Sequence, residues 1–243
     1  MALFLSSLCL VALRTPPLTS RRQAAISGAA AAATAALVGG GRIGGAAAAE
    51  PPYCVAMTVL LDPQKGSRGE LVIEVMPEWA PLAAARFKEL VELGFYKRSR
   101  FHRVLQGFLP GDLSIAQFGI STSRELNTEW LCKTCKPLPD EARRQSNAKG
   151  TLSFAQASQK NTRQTQIFIN LADNGGVPSF LDGPFPLGQE FTPFARVVGG
   201  MELLPKLHGE ASVDQGKAAY YVEEYLDQVF PKLSVIEDVK LIL

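Results

Sequence analysis

The sequence predicts a mainly β protein, an antiparallel barrel, on three observations. Many short runs alternate between apolar and polar residues or are rich in β-branched residues, as strands are. Two segments have helical spacing, and no internal repeat is visible. After the first 49 residues, about 190 remain, which is enough chain to bury one substantial core.

The first 49 residues have the composition of a targeting presequence, with four arginines and no acidic residue. Leu3–Leu13 is apolar but too short to span a bilayer, like the core of a signal peptide. Arg21 and Arg22 then precede the apolar Ala24–Val38 and the small residues Ala46–Ala49, which resembles a Tat export signal. Two signals in series predict passage across two membranes, into the thylakoid lumen of a plastid. A single secretory or mitochondrial presequence with a low-complexity linker is the alternative.

The charge of the mature chain, residues 50–243, gives no basis for a nucleic-acid partner. The whole chain holds 25 basic and 23 acidic residues, so removal of the four presequence arginines leaves 21 basic residues and a formal charge of −2. No basic field remains that would attract phosphates. No run of about 18 apolar residues follows either, so no stable membrane insertion is expected after processing.

The first strands are predicted to form a hairpin. Val55–Leu61 and Leu71–Val75 are rich in β-forming residues. Between them, Asp62-Pro63 and Gly66–Gly69 supply residues that favour turns.

Two helices and a closing strand complete the predicted framework. Pro81 lies near the start of the first helix and Gly94 just past its end. We expect this helix to cover one end of the sheet with an apolar stripe formed by Ala83, Phe87, Leu90 and Val91. A second helix is predicted at Tyr220–Phe230, and Ser234–Leu243 is the closing strand.

Thr162–Asn170 is predicted to be a strand with two chemically distinct faces. Because side chains alternate along a strand, one face carries Gln164, Gln166 and Phe168, and the other carries Thr165, Ile167 and Ile169. Two amides and a phenyl ring in a row are unusual for a core. They fit a peptide-binding groove.

A second alternating strand places Arg103 on one side with Phe101 and Leu105. An arginine among apolar residues is either a surface residue or a placed hydrogen-bond donor, and the pattern alone favours the surface. Long irregular segments at 110–149 and 171–190 accompany the strands, and such loops usually carry binding surfaces.

Several motifs, taken together and in their order along the chain, resemble those of the cyclophilins, a family of peptidyl-prolyl cis/trans isomerases. They cover nearly all of residues 53–243. The motifs are Phe101–Val104, Gly107–Leu109, Gly150–Ala155, Thr165–Ile169, Phe180–Gly183 and Phe194–Met201. A microbial and plastid subgroup is indicated by Gln117–Ile120, Gln145–Asn147 and Phe230–Leu233. The resemblance implies a closed eight-stranded antiparallel barrel capped by two helices. It also implies a cofactor-free isomerase that acts on proline-containing polypeptides and assists their folding.

The resemblance also assigns roles to individual residues. Arg103 is the cationic donor, and Gln117 binds substrate and steadies the arginine. Gln166 lines the neighbouring wall, while the backbone at Ala155 and Gln156 pairs with the bound peptide. The proline pocket is formed by Phe108, Leu109, Phe168 and Leu181, with Phe180 and Phe191 at further substrate-binding positions.

The chain departs from the family pattern at several places, and three of them bear most on the site. Pro110–Ala116 is an insertion before Gln117, and the glutamine keeps its place only if the extra residues bulge outward. Phe180 stands where many members have tryptophan, which puts cyclosporin binding in doubt, and Phe191 stands where many have histidine. The insertion keeps open an alternative function, a non-catalytic module that binds proline segments on the same barrel.

Cysteine and histidine offer few other sites. Cys132 and Cys135 form a CxxC in a loop, and either a disulfide or two free thiols fits it. Zinc prefers four ligands, and the mature chain has only His102 and His208 besides its cysteines, so no metal is expected. His102 is predicted to face away from Arg103 and to be packed. The protein is expected to be a monomer.

Overall fold

The computed structural model describes residues 50–107, 109, 112–131, 135–177, 179, 181–183 and 190–242. The predicted targeting segment lies outside the described residues, as do Phe108, Phe180 and Cys132.

Within these residues, eight antiparallel strands form one sheet, which confirms the predicted fold class. The strands are β1 (Tyr53–Asp62), β2 (Ser67–Val75), β3 (Arg103–Leu105), β4 (Ile115–Phe118), β5 (Thr151–Phe154), β6 (Ile167–Asn170), β7 (Pro193–Gly199) and β8 (Val235–Ile242). Their order across the sheet is β3-β4-β6-β5-β7-β2-β1-β8.

The two edges of the sheet meet through the segment that leads into β3. Phe101 N–H donates to Ser234 O at 2.9 Å, and Ile236 N–H donates to Ser99 O at 2.8 Å. Arg100 also forms a bridge with Val235 of β8. The sheet is therefore curled into a barrel whose β3 edge is joined to its β8 edge by main-chain hydrogen bonds.

The hairpin of β1 and β2 forms as predicted. Tyr53 pairs with Val75 and the ladder runs to Asp62 and Ser67. The Asp62 carboxylate accepts a hydrogen bond from Gln64 N–H at 3.0 Å, so the turn satisfies its own backbone.

Three α-helices lie around the barrel in the described part of the chain, one more than predicted. They are α1 (Pro81–Glu92), α2 (Arg124–Trp130) and α3 (Gln215–Val229), and a 3₁₀ helix follows β7 at Met201–Lys206. α1 buries the predicted stripe, and Gly94 just beyond its end has a φ of +72°.

Two of the helices differ from the prediction. α3 begins at Gln215 rather than at Tyr220, because Asp214 caps it by accepting from Lys217 N–H at 3.0 Å. Its backbone leaves the helical conformation at Val222, where φ is 51° and ψ is −123°. α2 was not predicted. The Ser123 hydroxyl caps it by accepting from Leu126 N–H at 3.2 Å.

The interior of the barrel is an apolar core rich in aromatic rings. Phe118 contacts Phe101 and Tyr96 with ring centroids 5.4 Å apart in both pairs. Phe194 of β7 stacks at 5.3 Å from Phe87, which attaches α1 to the sheet. A separate apolar cluster surrounds α3, and Leu131 at the end of α2 packs against it. It consists of Ile120, Val213, Ala218, Leu226, Phe230 and Leu233. In the described ranges, no helix is both long and apolar enough to cross a bilayer.

Candidate active site

Arg103 and Gln117 face each other across β3 and β4. The two residues are direct partners in the antiparallel ladder. Arg103 Nη1 lies 3.4 Å from Gln117 Oε1, which is the geometry of a long hydrogen bond. The strand resumes at Ile115 after the insertion, so Gln117 keeps the place that the sequence analysis required of it.

Phe168 extends this row to a third strand. It pairs with Gln117 across β4 and β6, and with Ser153 across β6 and β5. Partners in a ladder project from the same face, so Arg103, Gln117 and Phe168 lie side by side. The neighbouring residues Ile167 and Ile169 belong to the barrel core, as predicted, so the row lies on the outer face.

Phe168 is the centre of an apolar cluster on this outer face. Ile115, Phe168 and Leu181 are buried there, and Leu105, Leu113, Ala155 and Phe191 pack against them. The rings of Phe168 and Phe191 meet edge to face, with centroids 5.2 Å apart and planes at 86°. Because the family resemblance implies the proline pocket at this place, we call this set the apolar pocket.

A line of carboxamides connects the pocket edge with α3. Gln117 Nε2 donates to Gln166 Oε1 at 2.6 Å, and Gln166 Nε2 donates to Gln215 Oε1 at 3.2 Å. Gln117 is buried, whereas Gln215 is exposed at the first turn of α3. The orientation of Gln117 is therefore fixed from both sides, by Arg103 and by Gln166.

The other predicted binding residues lie at different positions around the site. Ala155 N–H donates to Gln166 O at 2.8 Å, and Gln156 follows it half-buried. Leu109 is 69% exposed and is not a member of the apolar pocket, and its N–H donates to Asp112 Oδ2 at 2.9 Å. The roles predicted for Phe108 and Phe180 fall on residues outside the described part of the chain.

The structure adds residues that the sequence analysis did not assign to the site. Leu105 and Ile115 lie two positions from Arg103 and Gln117 on the same strand faces, so the alternation of β3 and β4 contains the signal for them. Leu113 precedes β4. Gln215 has no such signal, because 49 residues separate it from Gln166.

His102 is almost fully buried, at 1% exposure. Burial lowers its pKa to about 4, although the Gln166 side chain and the Arg100 backbone act in the opposite direction. Neither ring nitrogen has a hydrogen bond of normal geometry. The ring is therefore neutral near pH 7, as expected for a packed residue.

Among the residues that the structure describes, the apolar pocket contains no cysteine. Cys54 and Cys135 are both disulfide-bonded, and the predicted pairing of Cys135 with Cys132 falls partly outside the described residues. Within the described ranges, no three His, Cys, Asp or Glu side chains group as a metal ion would require.

Comparisons with known proteins agree with this geometry. The family model "Cyclophilin type peptidyl-prolyl cis-trans isomerase/CLD" matches residues 60–224. Peptidyl-prolyl cis-trans isomerase A of Dickeya dadantii is 33% identical over 143 residues, which are 58% of this chain and 67% of that protein. Peptidyl-prolyl cis-trans isomerase B of Escherichia coli is 30% identical over 153 residues, 62% of this chain and 85% of that protein.

Solved structures support the fold. A cyclophilin type isomerase of Cryptosporidium parvum has a TM-score of 0.51 at 20% identity, covering 79% of this chain and 99% of that one. The same Cryptosporidium protein in the presence of the dipeptide Ala-Pro has a TM-score of 0.50. With eight antiparallel strands, the Arg103–Gln117–Phe168 row and a family match over residues 60–224, the chain belongs to the cyclophilin type peptidyl-prolyl cis-trans isomerases.

Proposed function

We propose that the protein catalyses cis/trans isomerisation of X–Pro bonds in polypeptides, with Arg103 as the catalytic donor. The observation that carries this proposal is the placement of the guanidinium beside the Gln117 amide and next to the apolar pocket. Proline is apolar, and its preceding amide is polar. A pocket and a cationic donor on one face match both parts of this substrate.

The reaction requires a site that binds the twisted amide better than the planar one. Rotation crosses a barrier of about 20 kcal/mol because the twisted amide loses its resonance. A turnover of about 10³ per second requires a reduction of about 7 kcal/mol. The prolyl nitrogen recovers its lone pair as the bond twists. A fixed donor stabilises this electron density on the nitrogen without any proton transfer.

Each part of the site has a defined task in this mechanism. The rings of Phe168 and Phe191, with Leu181, hold the pyrrolidine ring and exclude water from the bond. Arg103 donates toward the twisted amide with a permanently charged, planar group. Gln117 holds the guanidinium in place through Oε1. No cofactor is needed for any of these steps.

Exchange NMR on a short X–Pro peptide with the full chain tests the proposal. We expect accelerated exchange in the parent and a loss of about 100-fold in kcat/KM for Arg103→Ala, as for other preorganised donors. Arg68→Ala is the matched control, because Arg68 is 58% exposed on β2 and pairs with Glu237 at 2.7 Å. Undiminished catalysis by Arg103→Ala would contradict the assignment. Peptide binding without accelerated exchange would instead identify a non-catalytic proline-binding module.

We also propose that the protein acts as a monomer in the thylakoid lumen, where it assists the folding of imported polypeptides. The proposal is supported by the two signals read in series within residues 1–49. Incubation with isolated chloroplasts is expected to yield a shortened, protease-protected protein in the lumen. Replacement of both Arg21 and Arg22 by lysine is expected to stop it in the stroma. Import into mitochondria or secretory vesicles instead would contradict the proposal. Analytical sedimentation of the shortened protein measures its mass in solution and thereby tests whether it is a monomer.

A further inference from the structure

Two walls of the apolar pocket come from a loop and not from the sheet. Leu181 and Phe191 both lie between β6 and β7, outside any strand. Leu181 N–H donates to Asn174 O at 3.1 Å, and Phe191 N–H donates to Leu181 O at 2.9 Å. In the described part of this loop, no ladder joins these walls to the strand that carries Phe168, so other contacts set the distance between them.

Three asparagines lie behind this loop, and we call them the asparagine triad. Asn147, Asn170 and Asn174 are each 0% exposed. Asn174 Nδ2 donates to Asn170 Oδ1 at 2.8 Å, and Asn170 Nδ2 donates to Asn147 Oδ1 at 3.3 Å. Amides buried this deeply cost free energy unless they are hydrogen-bonded, and these three are bonded to one another and to the chain around them.

Asn147 connects the barrel to both loop walls. Its Oδ1 accepts from the Ser153 hydroxyl of β5 at 2.9 Å. On the other side, its Nδ2 lies 2.9 Å from Phe191 O and 3.5 Å from Leu181 O. A single side chain thus spans the gap between a barrel strand and the main chain of each wall residue.

Asp182 strengthens this connection. Its Oδ1 accepts from Asn147 N–H at 2.9 Å and from Asn147 Nδ2 at 2.7 Å. Burial alone would raise the pKa of Asp182, but hydrogen bonds from Ser146 and Asn147 outweigh it and lower the pKa below its ordinary value. The carboxylate therefore stays ionised and makes charge-assisted bonds to Asn147.

Asn174 does the same for a third part of the pocket. Its Oδ1 accepts from Ser114 N–H at 3.0 Å, and its Nδ2 donates to Ser114 O at 2.8 Å. Ser114 directly precedes Ile115, which is buried in the pocket. The triad therefore holds the main chain at Leu181 and Phe191 in one loop and at Ser114, next to Ile115, in the other.

We propose that Asn147 is a positioning residue that fixes the spacing between Phe168 and the Leu181 and Phe191 walls, and thereby sets affinity for the proline ring. The inference rests on the isomerase function proposed above. Arg103 and Gln117 are carried by β3 and β4 and are fixed by their own ladder. Loss of Asn147 is therefore expected to weaken binding of the planar and twisted substrate alike, so that KM rises while kcat is retained.

Exchange NMR over a range of peptide concentrations separates the two constants. For the full chain with Asn147→Ala, we expect KM to rise about tenfold and kcat to stay within about twofold. Asn127→Ala is the matched control. Asn127 is also a buried asparagine, 4% exposed, but it bonds Ser121 N–H at 2.9 Å and Ala219 O at 3.0 Å between α2 and α3. The control is expected to lose stability and to keep the parental KM.

Asp182 provides a conservative rescue. Asp182→Asn keeps an acceptor oxygen for Asn147 and is expected to keep KM within about threefold of the parent. Asp182→Ala removes that acceptor and is expected to raise KM more than Asp182→Asn does, in the same direction as Asn147→Ala. If Asn147→Ala does not fold, the comparison of Asp182→Ala with Asp182→Asn carries the same test.

A spectroscopic signature reports the wall positions without any turnover. The Leu181 methyl groups pack in a cluster with the Phe168 and Phe191 rings, so ring currents shift their NMR signals. These signals are expected to move toward random-coil values in Asn147→Ala and to stay in place in Asn127→Ala. An unchanged KM and unchanged methyl shifts in Asn147→Ala, or equal changes in Asn127→Ala, would overturn the proposal. If the parent binds peptide without catalysis, the proposed function fails, and the Kd from titration then replaces KM in the same comparison.

Discussion

At the scale of single residues, the carboxamide line predicts graded effects on catalysis. Gln117 contacts both Arg103 and Gln166, whereas Gln215 is exposed at the far end. Gln117→Ala is expected to lower kcat/KM about tenfold, because the guanidinium loses the acceptor that orients it. Gln215→Ala is expected to lower it about twofold at most, since water replaces an exposed partner.

Steady-state kinetics on the same X–Pro peptide measures both variants. Equal losses of kcat/KM in the two variants would contradict an effect that decreases from Gln117 to Gln215. They would indicate that α3 itself contacts the substrate.

The family resemblance led to Arg103 and Gln117, whereas Phe168 already stood out on an alternating strand. Arg103, Gln117 and Phe168 each lie in an alternating run or a family motif. Asn147 lies in the subgroup motif Gln145–Asn147 but received no role there, and Asn174 lies in no motif, since a polar residue in an irregular segment looks the same whether it is solvated or buried. Only the fold shows that their side chains bond to the main chain of the pocket loops.

At the scale of elements, α1 depends on a carboxylate from a distant loop. Its N-cap residue, Ala80, offers no side-chain cap. The Glu141 carboxylate instead accepts from Leu82 N–H at 2.7 Å and from Ala83 N–H at 3.0 Å. The same carboxylate lies 3.6 Å from Arg163 Nη1, and the two side chains are only 8% and 3% exposed.

We therefore expect Glu141→Ala to be strongly destabilising, by about 3 kcal/mol, because it leaves a buried arginine with one partner fewer and removes a helix cap. Chemical denaturation measures the free energy of unfolding. Glu237→Ala is the control, since its pair with Arg68 is exposed and is expected to contribute below about 1 kcal/mol. Similar losses in both variants would show that burial does not distinguish the two ion pairs.

The elements that the sequence missed are those that depend on tertiary contacts. α2 spans only seven residues, too few to show an apolar period, and it depends on tertiary contacts: Trp130 packs in the barrel core, and Asn127 bonds to Ala219 O of α3. β6 begins at Ile167 and not at Thr162, because Arg163 forms a single bridge with Leu138 outside the ladder. By contrast, α1 is long and periodic, and its predicted start at Pro81 is correct.

At the scale of the whole molecule, buried His102 makes stability depend on pH. Its pKa falls from 6.5 to about 4 on folding, chiefly through burial. Between these values the unfolded chain binds a proton that the folded chain does not, so stability decreases as pH falls from 6.5 to 4. The full effect corresponds to about 3 kcal/mol.

Denaturation at several pH values between 7 and 4 is expected to show a smaller decrease for His102→Leu than for the parent, because the variant has no buried ring to protonate. His208→Leu is the control, since His208 is exposed. Parallel curves for the parent and His102→Leu would contradict this account. Groups other than His102 titrate alike in both proteins, so the difference between the curves isolates this residue.

Because of the asparagine triad, the backbone path of the pocket loops does not depend on which side chains line the pocket. Apart from Asp182, its bonds to those loops go to main-chain groups, which every amino acid possesses. Side chains at positions 181 and 191 can therefore be exchanged while the backbone keeps its path. The backbone of the pocket is therefore independent of the side chains that line it. Substitutions at these two positions can change selectivity for the residues flanking proline while the barrel stays as it is.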